Sequence, residues 1–332
     1  MMRALWFHLF VLLVAGIYFP GLAYADVDPE KIVKPEACAE CHKESTRIWA
    51  NTAHFRTFKE LQRRERAEEI SKNLGVQNVM RDPLCSQCHF TPHVENEVFS
   101  LVSGVSCESC HGEGRDYLEV HADYGGKTVT REMETPEHRA ERLAKSDAAG
   151  LIRGPHMYQM AQKCMSCHIN RHEGLVNTGG HKALSKDFEL VSWSQGIMRH
   201  NVWYSPENNE TPLEQRRVMY VVGKMAAVEY ALRGLAKTSR EEGYFTEIKT
   251  YFESNLKDLE TIHANTALDE VEAVISIAKN VEIRLGNRFG LQVAADEISG
   301  IAKKFSDEKK GSQLAGIDSL LPTPDKYKGK PQ

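Results

Sequence analysis

The chain has 332 residues, of which 41% are hydrophobic and 27% charged, and its formal net charge is −4. This length and balance are typical of a folded protein with one large core or two smaller ones, and they exclude a disordered chain. There is no surplus of basic residues, which argues against a nucleic acid as partner.

The first 25 residues carry the features of an export signal. Arg3 is followed by the apolar run "ALWFHLFVLLVAGIYF", and "GLAYA" places Ala23 and Ala25 for cleavage before Asp26. We therefore predict a signal peptide over residues 1–25 and a periplasmic mature protein. The alternative is an uncleaved anchor, because a bilayer-spanning helix needs roughly 20 apolar residues. Membrane contact is expected only in that case.

All eight cysteines fall into four copies of the pattern Cys-x-x-Cys-His. Motifs 1 to 4 are "CAECH" (Cys38, Cys41, His42), "CSQCH" (Cys85, Cys88, His89), "CESCH" (Cys107, Cys110, His111) and "CMSCH" (Cys164, Cys167, His168). Disulfides, a redox dithiol or a zinc site leave the four histidines unexplained. Covalent haem attachment explains every residue, because two thiols join the porphyrin and the adjacent histidine binds its iron. We therefore predict four c-type haems.

Ten histidines lie outside the motifs, and each haem iron has a sixth coordination position. An electron carrier usually closes that position, whereas a catalytic haem leaves it open for substrate. The surplus of histidines therefore predicts mostly bis-histidine haems. The candidate distal ligands are His54, His121, His156, His181 and His200. His54 and His121 follow motifs 1 and 3 so closely that each would serve a haem other than the preceding one.

The other histidines and the charged segment have ordinary explanations. The weaker histidine candidates, which fit surface or core roles, are His93, His138, His172 and His263. Residues 58–74 predict an exposed charged helix with opposite charges three and four positions apart. Only 17 residues separate His89 from Cys107, so we expect the second and third haems to be neighbours.

The stretch "CAECHKESTRIWANTAH", followed by "CSQCH", "GVSCESCHGEGRDYLEVH" and "CMSCH", resembles the tetrahaem cytochrome c-554 family over roughly residues 36–170. The resemblance implies a largely helical fold with closely stacked haem pairs. It also implies that His54 and His121 are distal ligands and, more loosely, that His156 is one. One haem of that family can lack a sixth ligand, and His181 and His200 lie beyond the clear match.

From residue 206 the sequence changes character, and four amphipathic stretches follow. Apolar residues recur every three or four positions over 218–235, 245–259, 268–278 and 291–305, and Gly243, Asn265 and Gly286 separate the runs. We predict a mainly α protein: a haem-dominated multihaem cytochrome c domain over 26–205, a C-terminal antiparallel helical bundle over 206–305 and a mobile tail over 306–332.

These features predict a periplasmic tetrahaem c-type cytochrome that transfers single electrons between redox partner proteins, a carrier rather than an enzyme. The alternative is a multihaem oxidoreductase acting on a small nitrogen or sulfur compound at a five-coordinate haem. Arg171, His172 or Tyr204 would then supply polar groups above the iron. A third interpretation is a structural subunit, and in each case the bundle offers a scaffold, a docking surface or a homodimer interface.

Overall fold

The computed structural model of the chain describes residues 27–185, 187–203 and 205–332. The predicted signal peptide over 1–25 and Tyr204 lie outside this part. The described chain is mainly helical, which confirms the predicted fold class. No helix within these described ranges is long and apolar enough to cross a membrane.

The part of the chain that carries the motifs is built from short helices. These are α1 (Pro35–Ala39), α2 (Lys43–Ala50), α3 (Ala53–Glu60), α4 (Glu65–Leu74), α5 (Pro83–His89), α6 (Cys107–His111), α7 (Pro136–Ala148), α8 (Met157–His168), α9 (Glu173–Asn177) and α10 (Leu190–Ser194). Short 3-10 turns lie between them at Leu61–Arg63, Gly114–Asp116, Val120–Ala122 and Asn201–Trp203. Motifs 2, 3 and 4 each end a helix, so their two cysteines, three positions apart, lie on one helix face.

The predicted charged helix over 58–74 is two helices rather than one. Helix α3 ends at Glu60, the turn Leu61–Arg63 follows, and α4 starts at Glu65 because Arg64 adopts an extended conformation with ψ 126°. The charged side chains of α4 are solvated and form local ion pairs such as Arg66–Glu69 at 2.6 Å.

A β-hairpin, which the sequence analysis did not predict, connects motif 2 to motif 3. Its antiparallel strands are β1 (Thr91–Glu95) and β2 (Val98–Ser103). Asn96 and Glu97 form the two-residue turn, with φ of 51° and 63°. This double positive φ is the geometry that matches the twist of a tight hairpin.

The predicted C-terminal helices are present as α11 (Leu213–Leu235), α12 (Tyr244–Thr266), α13 (Asp269–Asn280) and α14 (Arg288–Glu308). Helix α11 is central and contacts both α12 and α14, while α13 packs on α12 and α14. Apolar and small residues surround α11 on every side, and side chains from Val218 to Leu235 are largely buried. A helix that is apolar all round requires partners on all its faces.

Helix α8, which ends in motif 4, supplies one of those partners. It packs against α11 and α14, and Ala161 and Met165 belong to the same apolar core. The Tyr158 hydroxyl lies 2.7 Å from Oε2 of the fully buried Glu229 on α11 and 2.6 Å from Ser299 Oγ on α14. The haem-motif region and the bundle therefore share a core across residue 205.

The hydrogen bonds of the Tyr158 hydroxyl in this shared core lead to a prediction about stability. We expect Tyr158→Phe to lower the free energy of unfolding by about 1–3 kcal/mol, because Glu229 loses a buried hydrogen-bond donor. Urea unfolding followed by circular dichroism measures the loss. Phe289→Ala, at a side chain on α14 that is 82% exposed, is the matched control and should stay within about 0.5 kcal/mol. Equal effects of the two changes would contradict a stabilising role of the Tyr158 hydroxyl.

Residues 306–321 of the predicted mobile tail are mostly helical and pack on the bundle. Helix α14 continues to Glu308, and the 3-10 segment Gly311–Leu320 packs on α11 and α12. Leu314 and Ile317 are fully buried, and Arg217 of α11 pairs with both carboxylate oxygens of Asp318 at 2.6 and 2.7 Å. Apolar residues three and four apart in "LAGIDSLL" give this segment an apolar face. Burial of that face stabilises the packed conformation despite the glycines and lysines of the segment.

Candidate haem sites

Each motif histidine faces one histidine from elsewhere in the chain. The ring centres are 6.2 Å apart for His42 and His121, 6.3 Å for His89 and His181, 6.1 Å for His111 and His200, and 6.1 Å for His54 and His168. The structure thus brings four of the five predicted distal histidines to the four motifs. No motif histidine is paired with the distal histidine that follows it most closely in sequence.

These separations fit an iron atom between two imidazoles. A metal–imidazole nitrogen bond is about 2 Å long, so two such bonds and the inner halves of two rings add up to roughly 6 Å. Two thiols and the motif histidine beside each such gap are the groups that hold a c-type haem. The residues present therefore fit a covalently attached haem at each motif.

Hydrogen bonds also set these imidazoles in the form that binds iron. Nδ1 of four of the histidines donates to a backbone carbonyl: His111 to Ile152 at 2.8 Å, His121 to Leu118 at 2.7 Å, His181 to Lys182 at 2.8 Å and His200 to Met198 at 2.7 Å. Because a carbonyl only accepts, the proton is on Nδ1 and the lone pair on Nε2. A second hydrogen bond of this kind orients metal-binding histidines in general.

Burial also favours the neutral, metal-binding form of two motif histidines. Desolvation lowers the pKa of His89 and of His168 to about 4 each, with the neighbouring histidine charges adding to the effect. Both side chains are therefore neutral near pH 7, and the neutral imidazole is the form that coordinates a metal.

His156, the fifth predicted distal ligand, has a different environment. Its Nδ1 accepts a hydrogen bond from the Arg153 backbone N–H at 3.2 Å, and its Nε2 lies 3.3 Å from Asp147. This arrangement puts the proton on Nε2, the opposite of the pattern in the four paired rings. Among the described residues, the structure pairs His156 with a carboxylate and not with a motif histidine, so it does not support the prediction for His156.

The remaining histidines also have local partners in the described part of the chain. His138 lies 2.8 Å from Glu134, His172 Nε2 lies 2.9 Å from the Gln87 amide, and His263 lies 3.4 Å from Glu272. Arg171, proposed for an open iron in the enzyme alternative, lies over the Tyr230 ring at 5.5 Å. Tyr204 lies outside the described residues.

Aromatic side chains from residues 188–203 pack against two motif histidines. Phe188 stacks on the His168 ring with 4.3 Å between centres, and Trp193 meets the same ring at 5.0 Å. Trp203 contacts His42 at 4.7 Å. These contacts limit rotation of the imidazoles. They were not predictable from the sequence, because the aromatic residues are remote from most of the motif residues they contact.

The thiols bring the motifs together in pairs that are not consecutive. Cys38 of motif 1 lies beside Cys107 of motif 3, and Cys88 of motif 2 lies beside Cys167 of motif 4. Helix α6 of motif 3 also packs against α8 of motif 4. The contacts thus place the motifs in the order 1, 3, 4, 2. The expectation that motifs 2 and 3 form the neighbouring pair does not fit this order, because the β-hairpin occupies the residues between them.

The glutamate inside motif 3 fixes the start of motif 1. Glu108 is 2% exposed, and its carboxylate accepts three backbone N–H groups: Val33 at 2.9 Å, Lys34 at 3.1 Å and Gly114 at 2.8 Å. Burial raises the pKa of this carboxyl, and the three N–H groups act against that rise. Glu108 therefore joins the chain before motif 1 to the turn after motif 3.

A glycine before motif 3 allows a second close approach. A Cβ on Gly104 would lie 2.2 Å from the His54 carbonyl oxygen, which accepts the Val105 N–H at 3.1 Å. Thr57 Oγ1, one turn after His54, donates to the His89 carbonyl at 3.0 Å. The stretch "GVSCESCHG" is thus the place where motif 3 contacts the helix that carries His54.

Two comparisons with known proteins concern the part of the chain that carries the motifs. Residues 37–112 match the family described as cytochrome c554 and c-prime. Cytochrome c-554 of Nitrosomonas europaea is 27% identical over 141 residues, which cover 40% of this chain and 55% of that protein. The chain thus spans about half the length of this curated relative.

No solved structure matches the chain significantly. The family match covers motifs 1, 2 and 3 and ends before His121, His181 and His200. This relative is a cytochrome by name, which agrees with covalent attachment of haem c through Cys-x-x-Cys-His. The family match and the similar relative together support the resemblance of the motif-bearing part of the chain to the cytochrome c-554 family.

Proposed function

We propose that the protein is a periplasmic tetrahaem c-type cytochrome that transfers single electrons between redox partner proteins. The observation that carries the proposal is the set of four histidine pairs with ring centres 6.1–6.3 Å apart, one at every motif. An iron held on both faces changes its geometry little between oxidation states, which suits a carrier. When bound, haem iron supplies the one-electron chemistry.

The chain's own residues would have two tasks. Cys38 and Cys41, with their counterparts in the other motifs, would attach the four haems. The distal ligands would be His121 for motif 1, His181 for motif 2, His200 for motif 3 and His54 for motif 4. The motif order 1, 3, 4, 2 supports a continuous row of sites, so that electrons entering at one end would leave at the other.

The sequence also supports a proposed location and a proposed class of partner. The predicted signal peptide supports export to the periplasm, where redox proteins would serve as donor and acceptor. The division into a haem domain over 26–205 and a helical bundle over 206–305 remains our proposal, with the bundle as scaffold and homodimer interface.

Spectroscopy of the purified holoprotein tests the function. We expect a mass corresponding to four haems, only low-spin ferric signals in EPR, uptake of four electrons in a reductive titration and no binding of carbon monoxide after reduction. A high-spin haem that binds carbon monoxide would contradict the carrier and favour a multihaem oxidoreductase.

A further inference from the structure

The last residues of the chain lie against the loop that carries His200. We call residues 324–332 the strap and residues 195–211 the His200 loop. The Ile197 N–H donates to the Lys328 carbonyl at 2.8 Å, and the Lys328 N–H donates to the Ser192 carbonyl at 2.9 Å. The strap thus adds backbone hydrogen bonds to both α10 and the start of the loop.

The strap also contacts the residue that holds the backbone on both sides of His200. Asn208 is 4% exposed, its Nδ2 donates to the Arg199 carbonyl at 2.9 Å, and its Oδ1 accepts the Asn201 N–H at 2.8 Å. The second Nδ2 hydrogen donates to the Gln332 carbonyl at 2.7 Å. Asn208 therefore connects the strap to the residues immediately before and after His200.

Close packing reinforces these bonds. A Cβ on Gly196 would lie 2.2 Å from the Lys328 carbonyl oxygen, so the backbones of loop and strap are in direct contact. The Lys328 ammonium lies 4.9 Å from the centre of the Trp193 ring. Tyr327 places its hydroxyl 2.8 Å from Arg216 of α11.

The loop has little regular structure of its own. Between α10 and α11 the described residues form one short helical turn, Asn201–Trp203. One hydrogen bond joins the two ends of the loop, where Gln195 Oε1 accepts the Thr211 N–H at 2.8 Å. Without the strap, the segment around His200 would lose the Gln332 and Lys328 contacts and gain conformational freedom.

We propose that the strap is a positioning element that keeps His200 opposite His111 and thereby keeps the third haem six-coordinate. This inference rests on the proposed function, in which His200 is the distal ligand at motif 3. On the described residues the strap contacts the loop, α10, α11 and Asn51 and not motif 3. Its removal should therefore release His200 and leave the covalent attachment through Cys107 and Cys110 intact.

The test compares the full chain with a chain that ends at Thr323. This truncation keeps the buried Leu314 and Ile317, so the bundle retains its packing. We expect four low-spin haems in the full chain. The shortened chain should show one high-spin haem in four, which binds carbon monoxide after reduction and gives the same spectra as His200→Ala. Four low-spin haems in the shortened chain would overturn the proposal.

A second variant covers the case in which the shortened chain does not fold. Gly196→Ala should displace the strap and produce the same high-spin haem in the full-length chain. Gly300→Ala on α14, where an added Cβ meets no atom within 4 Å, should leave all spectra unchanged. Unaltered spectra for Gly196→Ala would count against the strap. A high-spin haem in the unmodified chain would instead contradict the proposed function, on which the proposed role of the strap rests.

Discussion

Replacing His121 with alanine should convert one haem in four from low spin to high spin and allow it to bind carbon monoxide after reduction. The imidazole of His121 lies 6.2 Å from that of His42, and its Nδ1 is held by the Leu118 carbonyl, so its Nε2 is free for the iron. In the proposed assignment, alanine removes the distal ligand at motif 1 and leaves His42 as the one histidine that would hold the iron. EPR of the oxidised protein and the optical spectrum with carbon monoxide measure the change.

His156→Ala is the matched control, because the sequence resemblance implies a ligand at both positions and the structure pairs only one with a motif histidine. We expect the His156 variant to keep four low-spin haems and to lose only the contact with Asp147, at 3.3 Å. A high-spin signal in this variant, or none in His121→Ala, would mean that the assignment of distal ligands is wrong.

The contrast between His121 and His156 shows how much of the haem sites the sequence determines. Cys-x-x-Cys-His spacing defines the attachment points locally, because all five residues lie within about one helical turn. The histidine that faces each motif histidine comes from a more remote part of the chain: His200 meets His111, and His181 meets His89. Which histidine arrives opposite which motif depends on tertiary packing, so sequence spacing supplies the candidates and leaves their partners open.

The fold was predictable where the hydrophobic pattern is long. Helices α11 to α14 coincide with the four apolar runs and extend up to seven residues beyond them, because each run of at least eleven residues has a clear period. The hairpin was missed because its turn uses Asn96 and Glu97 and not the more recognisable Asn-Gly. The tail was predicted as mobile because its composition is polar, although its few apolar residues, among them Leu314 and Ile317, are fully buried.

Removing the Glu108 carboxylate should have the largest effect on stability. In Glu108→Ala three backbone N–H groups, those of Val33, Lys34 and Gly114, lose their acceptor in a buried place. At about 1–2 kcal/mol for each unpaired donor, the free energy of unfolding should fall by on the order of 4 kcal/mol. Chemical denaturation of the holoprotein, followed by far-UV circular dichroism, measures this loss.

Two further variants separate the carboxylate's hydrogen bonds from a general effect of charge. Glu108→Gln keeps one acceptor oxygen, enough for the Val33 and Gly114 N–H groups that share Oε1, but its amide nitrogen cannot accept from Lys34. Its destabilisation should therefore be smaller, about 1–2 kcal/mol. The exposed Glu119→Ala should change stability by no more than about 0.5 kcal/mol. If Glu108→Ala were no more harmful than Glu119→Ala, the buried carboxylate would not be what joins motif 3 to the start of motif 1.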